Sequence, residues 1–128
     1  MTLLNIPRGN RVFILEDSVE RIKQFEFWFP TATIARTREE AESILIHRHQ
    51  FDVLFLDYEL GPLTMCPDTG VWRHEAGTGV DVAKTLQALG HDGAEVIIHS
   101  LHKQGARDMK IWLPKARLLP FGTFEVPR

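Results

Sequence analysis

Cysteine is almost absent from this chain. The one thiol, Cys66, excludes an internal disulfide framework and a multi-cysteine zinc site, and it fits a reducing compartment. Neither sign of charge dominates. Fifteen Lys and Arg against seventeen Asp and Glu leave a formal net charge of −2, which gives no general reason to expect nucleic-acid binding, although a local basic patch stays possible. No apolar run approaches the ~18 residues of a membrane span. The start, Met1 to Pro7, lacks the basic segment and long apolar core of a secretory signal. Internal repeats and low-complexity tracts are missing too. The expectation is a cytoplasmic protein with no membrane contact. What is present is 44% hydrophobic and 25% charged residues over 128 positions, enough for one globular domain, 1–128, with a core of its own.

The most informative stretch runs from Phe51 to Gly61. Val53–Leu56 is a short apolar strand of the kind buried on both faces in a parallel sheet, and it delivers Asp57 to its C-terminal tip. Gly61-Pro62 then breaks the chain into a loop. Arg11–Leu15 has the same design and ends in Glu16-Asp17. Residues 1–10 form a lead-in closed by Pro7, Gly9 and Asn10. Further strands are expected at Ala32–Ala35, Glu95–Ile98 and Ala116–Leu119. Helices are expected from a cap at Asp17 or Ser18 to Pro30, after a Thr37–Glu40 capping box, over Gly79–Leu89, and over Gly105–Leu113. This alternation predicts an α/β fold, a parallel sheet with helices on both faces. Only seven residues follow Phe121, so a last helix is absent and one sheet face is expected to stay partly uncovered beside Phe25, Phe27, Trp28 and Phe29. An apolar surface of that kind suggests a homodimer or a protein partner.

If the two leading strands lie parallel and adjacent, Glu16, Asp17 and Asp57 meet at one sheet edge, where open α/β sheets bind ligands. A single aspartate after a strand is more often a cap or a solvated loop residue. Three carboxylates at one edge repel one another and call for a cation, and Mg²⁺ is the natural one, because it takes oxygen ligands. Ser100 ends another strand at the same edge. Its hydroxyl could bond a phosphoryl oxygen or simply cap a turn.

Glu16-Asp17, Asp57 and Ser100, in that order after three strands, resemble the acidic pair, phosphoacceptor aspartate and Ser/Thr of two-component receiver domains, over about residues 11–121. The resemblance implies a flavodoxin-like, three-layer fold with a five-stranded parallel sheet in the order 2-1-3-4-5. It also implies Asp17 and Asp57 as Mg²⁺ ligands, Glu16 acting directly or through water, and Asp57 as candidate nucleophile. Three features depart from an ordinary receiver. Leu119 precedes Pro120 where a lysine is usual, the fifth helix is missing, and the loop after Asp57 (61–78) is long. Together they point away from a signalling relay.

Asp57-Tyr-Glu-Leu-Gly61, Gly77-Thr-Gly-Val-Asp-Val-Ala83 and His99-Ser-Leu-His-Lys-Gln-Gly-Ala106 with Met109 are similar to a divergent branch, the cyclic-phosphate processing receiver domain. Tyr58, Glu59, His102 and Lys103 differ from that family's usual letters. The resemblance implies chemistry on a cyclic phosphate, of a nucleotide or an RNA end. Opening such a ring needs a nucleophile, charge neutralisation and protonation of a leaving alkoxide. Asp57 or metal-activated water, then Mg²⁺ with Lys103, then His99 would supply these, with His102 beside the phosphate. A structural hydrogen bond is the commoner role of a histidine after a strand. The long loop carries Trp72 and Arg73, able to stack on a base and pair a phosphate, so it is expected either to close over a nucleotide-like ligand or to be a mobile loop packed on itself. The function that follows is a Mg²⁺-dependent phosphoesterase or phosphoryl-transfer enzyme. The alternatives are a non-catalytic module that binds a phosphorylated ligand or a protein, and a phosphoacceptor receiver.

Overall fold

The computed structural model describes every residue except His49, Glu75, Ala76, Asp92 and Arg128. Nine strands and four helices follow one another among the described residues: β1 (Thr2–Leu3), β2 (Val12–Leu15), α1 (Val19–Trp28), β3 (Thr33–Ala35), α2 (Arg38–His47), β4 (Val53–Leu56), β5 (Thr64–Met65), β6 (Trp72–Arg73), α3 (Gly79–Leu89), β7 (Glu95–Ile98), α4 (Lys103–Trp112), β8 (Arg117–Leu118) and β9 (Phe124–Glu125). The central sheet is parallel in the order β3-β2-β4-β7-β8, which is the expected 2-1-3-4-5 of its five strands. Every residue of β2 and β4 is buried, as their unbroken apolar runs require.

Period-2 alternation divides the core between two faces. Phe13, Leu15, Leu54, Leu56 and Ile98 pack against Ala41, Leu45, Val82 and Leu86 of α2 and α3. Val12, Ile14, Val53, Phe55 and Ile97 face the other way, onto Phe25 of α1. Helix starts follow local chemistry. Ser18 caps α1 and Thr37 caps α2, accepting from Glu40 N at 3.1 Å. The fully reciprocal capping box lies at Thr78 and Asp81 instead, where α3 begins. Helix α4 starts at Lys103, two residues before the expected Gly105, because the His102 side chain acts as its cap: Nδ1 accepts from Gly105 N at 2.8 Å.

One expectation is overturned. The face beside α1 is not left open. The lead-in and the tail pair as a parallel ribbon, Thr2 with Phe124 and Leu3 with Glu125. The ribbon lays Leu4, Phe124 and Val126 over Phe25, Phe55 and Ile97, with Trp28, Phe29 and Phe121 packed around them. Phe124 stacks on Phe55 at 5.9 Å between ring centroids. Seven residues are too few for a covering helix, but an extended strand gains over 3 Å per residue and reaches across the same surface. Much of the apolar surface that suggested a homodimer is therefore covered from within the chain, while Phe27 stays exposed and Trp28 and Phe29 are partly buried. Phe124 is 1% exposed, so Phe124→Ala is expected to cost about 3 kcal/mol in urea unfolding. A loss below about 1 kcal/mol would mean that the ribbon is frayed in solution.

Candidate functional site

Strand register builds the site. Leu56 of β4 is paired with Leu15 of β2 on one side and with Ile98 of β7 on the other. The next residue on each strand is Glu16, Asp57 or His99, so these three stand in a row past the strand tips. They share the parity of Ile14, Phe55 and Ile97, which puts them on the α1 side of the sheet. Glu16, Asp57, His99 and Ser100 are all buried, at 0, 3, 0 and 3% exposure. Among the described residues Glu16, Asp57 and His99 form a group whose ligand atoms lie within 4.8 Å of one another.

Glu16 is heavily committed. Its Oε2 accepts from the amides of Asp17 and Ser18, each at 3.1 Å, and its Oε1 lies 3.0 Å from His99 Nε2. Burial alone would raise its pKa. The His99 hydrogen bond and charge, the Ser18 amide and the Arg21 guanidinium outweigh burial and hold it below the ordinary value. Glu16 is thus the acceptor and His99 Nε2–H the donor. Among the described residues His99 Nδ1 is buried without a hydrogen-bond partner, its ring set against those of Phe25, Phe55 and Phe121.

Asp57 behaves differently. Burial, reinforced by the nearby charge of Glu16, raises its pKa to about 6 against the lowering pull of His99 and Ser100. Its Oδ1 accepts from Tyr58 N at 2.8 Å. Helix α3 starts hard against it. A Cβ on Gly79 would collide with the Asp57 carbonyl oxygen, so only glycine permits that approach.

A cleft of about 340 Å³ opens above Asp57, lined by Asp17, Ser18, Arg21, Asp57, Glu59, Gly61, Ser100, Leu101 and His102. The structure therefore brings together Asp17, Asp57, Ser100 and His102 of the expected site, with Glu16 directly behind. Asp17 anchors the following loop, accepting from Gly61 N at 2.7 Å through Oδ2. Ser100 Oγ accepts from His102 N at 3.1 Å. The His102 ring lies tilted against that of Tyr58, with 4.6 Å between centroids. Because its Nδ1 accepts from Gly105 N, the neutral ring carries its proton on Nε2, available to a ligand.

Other expected residues fall elsewhere. His99 does not line the cleft, and its Nε2 is spent on Glu16, so it cannot itself hand a proton to a substrate there. Lys103 is exposed on the first turn of α4 and is not part of the cleft wall. Trp72 and Arg73 form the second strand of a short antiparallel hairpin, β5–β6, so the long loop is partly ordered. Both are exposed and outside the cleft lining, and a role in binding would need the hairpin to move. A larger cleft, about 540 Å³, lies at the opposite end of the sheet between Arg11, Thr33, His47 and Arg48, far from these carboxylates in the fold.

Sequence reading missed Arg21. Its guanidinium lies 3.6 Å from Glu16 Oε1 and 3.9 Å from Asp57 Oδ2, and sits 5.7 Å above the Phe121 ring. The signal was present. Arg21 is four residues before the buried Phe25, hence on the same helix face and one turn nearer the carboxylate edge. With oxygen donors on Asp17 and Asp57 and a third carboxylate behind, the cleft suits a hard divalent cation, provided Arg21 yields or shares the space.

Solved structures of similar fold include response regulator receiver domains. They include a response regulator receiver protein from Pseudomonas putida, with TM-score 0.60, 17% identity, and coverage of 89% of this chain and 88% of that one. The CheX–CheY–BeF3–Mg complex from Borrelia burgdorferi matches with TM-score 0.56 and 21% identity over 93% of this chain and 78% of that one. A yeast Spc42 coiled-coil fusion also matches, with TM-score 0.63 and 18% identity over 88% of this chain, which spans 66% of the fusion. At such identities the likeness is one of fold. No curated protein sequence matches the chain significantly. No helix among the described residues is long and apolar enough to cross a membrane. The family model of the Cyclic-phosphate processing Receiver domain matches residues 12–114, the span that holds β2 through α4 and every residue of the cleft, and the chain belongs to that family.

Proposed function

We propose that this receiver-like domain is a Mg²⁺-dependent phosphoesterase that opens a cyclic phosphate, of a nucleotide or an RNA end. The observation that carries the reading is the composition of one cleft: carboxylates from two strand tips on its floor, and Arg21, Ser100 and His102 as hydrogen-bond donors around them. A phosphodiester is an anion whose ring opening needs a base at one side and a proton donor at the other. In the cation-free cleft the Asp57 carboxyl, raised to about 6 by burial, is largely ionised at neutral pH and able to accept a proton. It takes the proton of an attacking water as the water oxygen bonds to phosphorus. The endocyclic P–O bond breaks, and the departing alkoxide, held by a hydrogen bond from His102 Nε2–H, takes its proton from solvent. The Ser100 hydroxyl orients a phosphoryl oxygen. Mg²⁺ held by Asp17 and Asp57, with Glu16 behind them, would neutralise the charge that gathers on the phosphoryl oxygens. Asp57 then returns its proton to solvent, which balances the one taken up by the alkoxide.

A second reading is favoured by one observation. Arg21 already neutralises the carboxylates, as a module that binds a phosphorylated ligand without turnover would require. A phosphoacceptor relay is less well supported, because Leu119 is packed into the core and brings no charge to the site.

The test follows the phosphorus resonance of 2′,3′-cyclic nucleotides with Mg²⁺. Wild type is expected to give an open monoester. Asp57→Asn should lose at least about 100-fold in rate and His102→Ala between about 10- and 100-fold. A Mg²⁺-dependent shift of the ligand signal without conversion would move the reading to the binding module.

A further inference from the structure

We propose that Arg21 is the anion-binding cation of the cleft, a guanidinium that rests on Glu16 and Asp57 and transfers to a phosphoryl oxygen when a phosphate enters. The inference rests on the reading of the cleft as a phosphate site and deepens it. Three observations carry it. First, the contacts of Arg21 with the two carboxylates, at 3.6 and 3.9 Å, are charge contacts only, and no hydrogen bond from its guanidinium is formed among the described residues. A fork of five donors is thus held at the site uncommitted. Second, the side chain is 29% exposed and lines the cleft, so its free edge meets solvent where a ligand would sit. Third, the stem is preorganised. Arg21 lies in the first turn of α1, where the helix dipole also favours an anion, and its Cζ rests over the Phe121 ring. The tip of β8 offers no competing charge, since Leu119 packs partly buried against the core beside Phe121.

The geometry makes Arg21 play two opposed parts. Toward a divalent cation it is a competitor, because both would sit against Asp57. Toward a phosphate it is a partner able to make two parallel hydrogen bonds. A residue that merely propped up Glu16 would have neither signature.

The experiment measures the binding of inorganic phosphate and, separately, of Mg²⁺ alone by calorimetry, for wild type, Arg21→Gln and Arg21→Lys, alongside their melting temperatures. Arg21→Gln is expected to weaken phosphate at least tenfold while tightening Mg²⁺ about threefold or more. Arg21→Lys keeps the charge without the fork and should recover only part of the phosphate affinity. Phosphate binding by Arg21→Gln within twofold of wild type would overturn the proposal. So would a joint fall of both affinities together with the melting temperature, or a wild type that binds no phosphate at millimolar concentration. Opposed shifts in a wild type that does not turn over cyclic nucleotides would uphold Arg21 and sink the phosphoesterase. Turnover with an unchanged KM in Arg21→Gln would do the reverse.

Discussion

His99→Ala is expected to destabilise the domain by about 3 to 5 kcal/mol. Two costs add. Removing one partner of a buried pair leaves the Glu16 carboxylate, itself 0% exposed, without its closest donor. Removing the ring also empties a cage of Phe25, Phe55 and Phe121, and the adjoining ribbon collapses into it only in part. His99→Gln, which keeps a donor at similar reach, should recover part of the loss, and that recovery separates the hydrogen bond from the packing. Urea unfolding at pH 7.5 measures both. A loss under about 1 kcal/mol for the alanine variant would show that the amides of Asp17 and Ser18, with Arg21, hold Glu16 unaided. A second consequence reaches the cleft. His99 lowers the pKa of Asp57, so its removal should push that carboxyl further up and move the onset of Mg²⁺ binding to higher pH. Such a shift would mark His99 as a positioning residue of the proposed site, acting through Glu16 and Asp57 rather than on a substrate.

How far the sequence foretold this site depends on which physics each residue obeys. The strands were legible because Val12–Leu15 and Val53–Leu56 are unbroken apolar runs, and their carboxylate tips follow by simple adjacency. The sheet order came through the family resemblance and agrees with the structure. His99 was assigned to the right edge and the wrong layer. Its neighbour Ser100 faces the cleft, and parity along β7 turns His99 onto α1. Counting two residues on from Ile97 would have placed it among the aromatics. His102 had the opposite fate. A histidine is a rare helix cap, so nothing in composition marked it as the start of α4, and the cap is what aims its Nε2 outward. The covering ribbon was illegible for another reason. Thr2–Leu3 and Phe124–Glu125 are two residues each, too short for any periodicity, and they find each other over an apolar face and through the backbone bonds of Thr2 N to Thr123 O and Leu4 N to Glu125 O.

Asp57→Asn is expected to stabilise the metal-free domain by about 2 to 3 kcal/mol above pH 7 while abolishing the proposed phosphoesterase activity. The cause is the burial that makes Asp57 useful. Its folded pKa, raised to about 6, exceeds that of an aspartate in the unfolded chain. The folded state therefore favours the protonated form. This favourable contribution is fully present below about pH 4 and is lost as pH rises through 6, at roughly 1.4 kcal/mol per unit of difference. Wild type should accordingly lose stability between about pH 4 and pH 6, on top of whatever other groups contribute, and the asparagine variant should lack that component. The two curves then converge in acid and separate at neutral pH. A cation at the cleft should reverse the sign of the difference. Saturating Mg²⁺, at about a hundred times its dissociation constant, adds roughly 2.7 kcal/mol to wild type and little to a variant that has lost the ligand. Denaturant titrations across pH, with and without Mg²⁺, give the whole pattern. Parallel curves for the two proteins would mean that Asp57 is ionised at ordinary aspartate pH, with Arg21 already neutralising it in the resting site. A wild type indifferent to Mg²⁺ would remove the cation from the chemistry. Instability that Mg²⁺ relieves is the pattern expected of a carboxylate kept buried for work on a phosphate rather than for the fold.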